Sequence, residues 1–174
     1  MSIFTYYPKI AYKVDDYNFL KVIDINVVTK IKDFLTQYRG ISYTPYVVAD
    51  GESPDFISYK FYEDPGYDWI IMLTNNVHSI YDDWPRSDAI FKDFLIEKYG
   101  SISTAKTTTH SWYTGNDNTV SEEFWGTLTD ANKYYKTIFE FETDLNDAKA
   151  NINLIDFRYV IDFESRLQEL LVSN

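Results

Sequence analysis

The 174-residue chain predicts an α+β fold, and three observations support that class. A β-prone run at residues 46–48 ends in the Asp50-Gly51 turn, and two helical segments follow it. Apolar residues recur at helical spacing in two further segments, one after a cap at Asp24 or Asn26 and one after Ser87. Alternating side chains at 134–141 predict a strand. We therefore expect a small core of short strands with two helices, flanking amphipathic helices, and a C-terminal antiparallel hairpin with a terminal helix.

The first core helix is predicted to begin at Pro54. Ser53 suits an N-cap, and a proline at the first helical position loses no hydrogen bond, because the first N–H groups of a helix have no partner within it. We expect Phe56, Ile57 and Phe61 to share the apolar side of this helix.

The second core helix is predicted after Asp64-Pro65, which repeats the same start signal. Trp69, Ile70, Met72 and Leu73 make it apolar over much of its surface, so we expect it to be the buried helix. A loop at Asn75-Asn76 closes the segment.

Two flanking helices are predicted from their apolar stripes. The stripe of the first consists of Val27, Val28, Ile31, Phe34 and Leu35, with Gly40 after its end. The stripe of the second consists of Ile90, Phe91, Phe94, Leu95 and Tyr99, with Ser87 as cap and Gly100 as stop.

The C-terminal part is predicted to be rich in β-structure. Residues 101–120 form a protruding hairpin or mobile loop with a strand at 107–113. A polar connection at 144–151 and a short strand at 152–154 follow the alternating run. A last helix at 157–172 aligns Val160, Phe163, Leu167, Leu170 and Leu171. The resulting division is 1–43, 44–100 and 101–174, although one continuous body fits the sequence equally well.

Charge and composition exclude several function classes. The net charge is −11, and residues 44–100 hold four basic residues against eleven acidic ones, so we expect no nucleic-acid partner. No apolar run is long enough for a membrane span, and no signal peptide is recognisable, which predicts no membrane partner and synthesis in the cytosol. Aromatic residues make up 18% of the chain, and Tyr and Trp are enriched at protein interfaces.

Catalytic and cofactor sites find no support in the sequence. Cysteine is absent, and His78 and His110 do not stand in a metal-binding spacing. Phosphate-binding glycine loops are absent too. Acidic pairs such as Asp82-Asp83 arise easily among 27 acidic residues and do not define a glycosidase pair. We therefore predict a protein that is not an enzyme, with no catalytic, cofactor-binding or metal-binding residues.

The segment Asp82-Asp83-Trp84-Pro85 allows two interpretations. In one, Trp84 anchors a neighbouring subunit while the aspartates meet a basic partner. In the other, Trp84 closes over the core and Pro85 sets up the helix that Ser87 caps.

The central segment resembles a LysM domain in the order of its elements and in several of its residues. The matching positions are Tyr46, Val48, Gly51-Glu52-Ser53, Ile57, Trp69, Met72 and Asn76. Pro54 and Ser58 depart from the LysM pattern, which usually has Leu and Ala there. Since these departures lie where glycan-binding members contact sugar, we do not expect glycan binding, and a LysM-type peptidoglycan-binding module is kept as the alternative.

Nearly the whole chain resembles the baseplate wedge protein 53 family of contractile-tailed bacteriophages. The resemblance rests on the segment 4–12, on Asp24-Ile25, on the run from 62–65 to 83–85, and on the C-terminal strand and helix. It implies a structural subunit that binds other wedge and tail proteins in a hetero-oligomer and helps to join wedges into a six-fold baseplate. It also implies assembly in the host cytoplasm and residence in the virion. A tail-associated cell-wall hydrolase is a further alternative.

Candidate partner contacts follow from these two resemblances and from the aromatic content. They are Tyr7, Pro8, Tyr12, Gly51, Ser53, Pro65, Tyr67, Trp69, Asn76, Tyr81, Asp83, Trp84 and Pro85.

Overall fold

Short strands and helices alternate along the chain in the computed structural model, which describes residues 9–15, 18–23, 42–129 and 131–172. The predicted α+β class is confirmed. The strands are β1 (Lys9–Lys13), β2 (Phe19–Ile23), β3 (Tyr43–Val47), β4 (Thr109–Tyr113), β5 (Thr119–Val120), β6 (Tyr134–Thr137) and β7 (Asn151–Ile155). The helices are α1 (Pro54–Tyr62), a 3-10 turn (Pro65–Tyr67), α2 (Asp68–Thr74), α3 (Asp88–Tyr99), α4 (Ile102–Thr107), α5 (Glu122–Thr127), α6 (Ile138–Ala150) and α7 (Phe157–Val172).

The contacts divide the chain into two compact units. The described residues of unit 1 are 9–15, 18–23, 42–47, 52–83 and 152–172. Those of unit 2 are 48–51, 84–129 and 131–151. The three-part division made from the sequence stays a prediction.

In unit 1, β3 pairs with β7. The Asp156 backbone N–H donates to the Ser42 carbonyl at 2.9 Å, so the start of β3 lies opposite the end of β7 and the strands run antiparallel. The most deeply buried apolar side chains of unit 1 are Ile57, Ile70, Ile71, Leu154, Ile155, Val160 and Phe163. They come from α1, α2, β7 and α7, which therefore share one apolar core.

Three further contacts hold these elements of unit 1 together. The Trp69 ring stacks near Phe163, with 6.3 Å between centroids. The Tyr62 hydroxyl donates to the Ile155 carbonyl at 3.0 Å. The Asn75 side chain donates to the Asn153 carbonyl at 2.9 Å and accepts from its N–H at 2.7 Å. The end of α2 is thereby fixed to β7.

The buried side of α1 differs from the prediction. Ile57 is buried as expected, but its companions are Pro54, Ser58 and Tyr62, whereas Phe56 and Phe61 are exposed. Ser58 fits inside because its hydroxyl donates to the Asp64 carbonyl at 2.6 Å.

Ser53 and Asp64 stand at the starts of helical segments, as predicted. Ser53 has the extended backbone of an N-cap, although its side chain makes no capping bond. The Asp64 carboxylate accepts from the Gly66 N–H at 2.7 Å and begins the 3-10 turn that leads into α2.

In unit 2, a three-stranded sheet of order β5-β4-β6 is antiparallel throughout. Helix α3 begins at the predicted cap Ser87, which accepts from the Ile90 N–H, and ends at Gly100. The left-handed backbone of Gly100, with φ of +83°, suits a glycine.

Several sequence assignments in unit 2 are wrong. Residues 102–107 are helix α4, capped by Ser101, where a loop and the start of a strand were predicted. The strand predicted at 134–141 ends at Thr137, and the supposed polar connection at 144–151 is mostly α6. The cause is a capping box in which Thr137 and Glu140 satisfy each other's backbone N–H groups, so the helix begins inside the alternating run.

Strand β7 and helix α7 lie where they were predicted and are confirmed. The helix predicted after Asp24 or Asn26 lies outside the described residues, and so do the side chains of Leu167, Leu170 and Leu171. Tyr7 and Pro8 also lie outside the described residues.

Candidate interaction surfaces

An exposed row of aromatic and acidic side chains lies on the outward side of α1. Phe56 and Tyr59 are 53% and 62% exposed, and residues three apart are neighbours on a helix surface. Asp55 stands four residues before Tyr59, and Glu63 is the left-handed residue that follows the helix; both are exposed. We call these four residues the α1 stripe. It combines apolar area with two carboxylates.

A polar and aromatic cluster supports the α1 stripe from the side. The Tyr46 hydroxyl donates to the Glu52 carboxylate at 2.6 Å, and the Lys60 ammonium donates to the Tyr46 oxygen at 3.1 Å. Burial, followed by the bond to Glu52, raises the pKa of Tyr46. The Phe61 ring meets the Tyr46 ring edge to face at 5.1 Å. The cluster joins β3 to α1 and fixes the orientation of the helix.

The hairpin of β1 and β2 forms a separate two-stranded sheet. Ala11 pairs with Lys21, and Lys13 pairs with Phe19. Since directly opposite residues share a face and neighbours along a strand alternate, five exposed side chains lie on one face. They are Lys9, Ala11, Lys13, Phe19 and Lys21, which we call the lysine face. Tyr12 and Leu20 pair on the opposite face and are also exposed.

A hydrogen-bonded turn presents Tyr81 to solvent. The Asp83 carboxylate accepts from the N–H groups of His78 and Ser79 at 2.9 and 3.0 Å. The Ser79 hydroxyl donates to Asp82 at 3.0 Å. Tyr81 is 87% exposed, and its ordered support suits an anchor residue for a protein partner.

An aromatic cluster covers one face of the unit 2 sheet. The Trp112 ring lies 4.6 Å from the Trp125 ring and 5.5 Å from the Tyr135 ring, between centroids. The next residue of β4 points to the opposite face, where Tyr113 stacks on Tyr134 at 4.9 Å. Tyr135 is 51% exposed, so part of this cluster is open to solvent.

An open cleft of about 150 Å³ lies beside Gly51 in unit 2. Its rim is polar, because Asp50 accepts from the Asp88 N–H at 2.8 Å. The Asn146 side chain exchanges two hydrogen bonds with the Arg86 backbone, at 2.8 and 3.0 Å. The Asp50 bond holds the loop at 48–51 to the start of α3, and the Asn146 bonds hold α6 to the segment that precedes α3.

The predicted contact residues fall into different environments. Exposed positions are Tyr12, Gly51, Pro65, Asn76 and Tyr81. Half-buried positions are Ser53, Tyr67, Asp83 and Pro85. Trp69 and Trp84 are only 4% and 5% exposed, so their rings are packed inside the chain. The contact role of all these residues stays a prediction.

Sequence reasoning missed the α1 stripe and the lysine face. Phe56 was assigned to the apolar side of α1, and residues 9–23 were not assigned to strands. The alternation of Lys9, Ala11 and Lys13 was the available signal, since a two-residue period predicts one polar face.

The described residues contain no group of three or more acidic or histidine side chains that could hold a metal ion. Within the same residues, none of the helices has the length and apolar content that crossing a membrane requires.

Comparison with known families matches residues 2–159 to the family described as Base plate wedge protein 53. The search of curated proteins gives no match.

Proposed function

Since the chain belongs to the base plate wedge protein 53 family and is thus a structural component of a phage tail baseplate, we propose that it binds several neighbouring wedge proteins and helps to join wedges into a six-fold baseplate. The observation that carries this proposal is the set of large apolar side chains exposed on ordered elements, among them Phe56, Tyr59 and Tyr81. Exposed apolar area on a rigid support favours protein contacts, because little backbone freedom is lost on binding. The chain acts by surface complementarity, without catalysis, and it assembles with its partners in the host cytoplasm.

We also propose that the part of unit 1 formed by β3, α1, α2 and β7 is a LysM-like core. The order strand, helix, helix, strand and the pairing of β3 with β7 support this assignment. Residues 84–150, nearly all of unit 2, stand between α2 and the closing strand β7. The proposed core is thus a scaffold that carries a large insertion.

The test is capture of purified wedge proteins by the tagged chain, after mass spectrometry has identified them in cells that make the complete set of tail proteins. Replacing Phe56 and Tyr59 together by serine should reduce capture of at least one wedge protein tenfold or more. Ile161→Ser is the matched control, because Ile161 is 67% exposed and lies elsewhere in unit 1. Unchanged capture by the double variant and by Tyr81→Ala would contradict the proposed surfaces.

Glycan binding is the second candidate function, and the cleft beside Gly51 is the observation that favours it. Its rim carries Asp50, Asp88 and Asp147, whereas the exposed aromatic rings described above lie elsewhere. Co-sedimentation with insoluble peptidoglycan tests this candidate. We expect the chain to stay in the supernatant, and pelleting that Gly51→Trp abolishes would favour the glycan-binding module.

A further inference from the structure

Two exposed surfaces of unit 1 carry complementary charge and similar apolar content. The lysine face presents three ammonium groups on the face that carries Phe19, and the segment 9–23 holds three lysines against two acidic residues, Asp15 and Asp16. The α1 stripe presents the rings of Phe56 and Tyr59 together with two exposed carboxylates, Asp55 on the helix and Glu63 at its end. Both surfaces belong to a chain whose net charge is −11, so the lysine face is a local exception to its overall sign.

The chemistry of the two surfaces fits direct contact. Lysine ammonium groups are attracted to carboxylates and to the faces of aromatic rings. Phe19 is 61% exposed and can be buried against the rings of the stripe. A two-stranded hairpin is also marginally stable alone in water, so covering one face of it stabilises the hairpin itself.

We propose that the lysine face of one copy of this chain docks on the α1 stripe of the next copy around the baseplate. The proposal rests on the proposed function, in which the chain helps to join six wedges. Each copy gives its hairpin to one neighbour and receives the hairpin of the other. A head-to-tail contact of this kind forms a closed ring when its rotation closes.

The occupant is a second copy because both halves of the complementary pair stand on the same chain. The contact is small and largely electrostatic, so it is weak between free chains and is weakened further by salt. In a baseplate, the wedges hold neighbouring copies close together, and the high effective concentration populates the contact.

The first test is disulfide cross-linking in purified tails. The chain lacks cysteine, so Ala11→Cys in the lysine face and Tyr59→Cys in the stripe are the only two thiols of this chain. Mild oxidation of tails that carry this double variant should give a ladder of covalent oligomers, up to six chains. Tyr12→Cys with Tyr59→Cys is the matched control, because Tyr12 lies on the opposite face of the hairpin and should give no ladder.

The outcomes separate the inference from the proposed function. Tails that contain the double variant but yield only monomer after oxidation overturn the docking, while the chain remains a wedge subunit. A wild-type chain that never enters baseplates overturns the proposed function instead. A covalent dimer of either single-cysteine variant would indicate contact between identical faces and would also overturn the proposal.

The second test is a charge exchange, which decides the question even where a cysteine variant assembles poorly. Lys9→Glu with Lys21→Glu should lower the yield of six-fold baseplates, counted by electron microscopy, at least tenfold. Adding Asp55→Lys and Glu63→Lys to the same chain should restore most of that yield. A quadruple variant that stays as defective as the double variant contradicts the docking, as does a double variant with normal yield.

Discussion

Unit 1 and unit 2 are stabilised in different ways. Unit 1 buries aliphatic and aromatic side chains almost completely, with Phe163, Ile70 and Val160 at 0% exposure. Among its described residues, unit 2 buries Leu95 as deeply. It also buries the Glu142 side chain and is held together by capped helices and half-buried ring pairs. The first unit should therefore be sensitive to lost volume, and the second to lost charge and hydrogen bonds.

The largest expected effect is that of Phe163→Ala in unit 1. Phe163 is fully buried on α7, and truncation of a buried Phe costs about 3–5 kcal/mol, because transfer energy is lost and a cavity remains. Phe157→Ala is the control, since Phe157 lies on the same helix but is 53% exposed. It should change stability by about 0.5 kcal/mol or less. Hydrogen exchange, followed by mass spectrometry of peptides from each unit, measures both.

The next effect is that of Glu142→Gln in unit 2. The Glu142 carboxylate is 7% exposed and accepts from the Lys98 ammonium at 2.8 Å and from the Tyr99 hydroxyl at 2.5 Å. The uncharged amide weakens both bonds, and we expect a loss of about 1–3 kcal/mol. Asp144→Asn on the same helix is the control, because its ion pair with Lys136 is exposed and such pairs contribute about 0.2–1 kcal/mol. Equal losses in both variants would contradict the difference between buried and surface charge.

The Glu142 contacts also make the stability of the wild type depend on pH in a way that Glu142→Gln should not. Burial opposes ionisation of Glu142, but the bonds from Lys98 and Tyr99 outweigh it and lower the pKa of the carboxyl group. A carboxyl whose folded-state pKa is depressed stabilises the fold above its unfolded pKa, and the contribution is lost as pH falls through the folded value. The difference between wild type and Glu142→Gln should therefore be full at neutral pH and shrink below about pH 4.5. Unfolding curves at several pH values measure this difference.

Sequence patterns were sufficient to predict an element where apolar residues repeat with one period along its whole length. The α+β class and helix α7 were predictable, because Val160 and Phe163 mark a buried side that repeats every few residues. Helix α6 was not, since local alternation at 134–141 concealed the capping box of Thr137 and Glu140. Its buried residue is the polar Glu142, which no apolar pattern reveals.

The interaction surfaces were less predictable than the fold. Composition indicated that aromatic rings would face partners, but not which ones. Ile57, Ser58 and Tyr62 lie on the buried side of α1, where the Ser58 hydroxyl bonds to the Asp64 carbonyl. The ring of Phe56 is exposed. Trp69 and Trp84 have the residue type of interface anchors, yet the fold buries both.

Tyr62 should give unit 1 a sensitivity to base that contrasts with the acid sensitivity of unit 2. Burial raises the pKa of Tyr62 to about 12. Since the folded pKa lies above the unfolded value, the contribution is complete below about pH 10 and is lost as pH rises toward the folded value. Tyr62→Phe removes the bond to Ile155 and should lower the free energy of unfolding by about 1 kcal/mol at neutral pH. The variant should also lose less stability than the wild type as the pH rises. Spectrophotometric titration of tyrosine measures the pKa, and unfolding curves from about pH 8 to 12 measure the loss of stability. If Tyr62→Phe loses stability in base as the wild type does, another tyrosine is responsible for that loss.

The smallest effect concerns the start of α6 in unit 2. The Thr137 hydroxyl accepts from the Glu140 N–H at 3.2 Å, and the Glu140 carboxylate accepts from the Thr137 N–H at 2.8 Å. Loss of an N-cap side chain costs roughly 0.5–2 kcal/mol, and we expect Thr137→Ala to lie near the lower end because both groups are accessible to water. Thr143→Ala is the control, since its hydroxyl bonds within the helix to the Phe139 carbonyl and alanine is the better helix former. Faster hydrogen exchange at 138–142 in Thr137→Ala alone would show that the cap begins the helix. Equal exchange in both variants would mean that the Glu142 contacts suffice to hold the first turn.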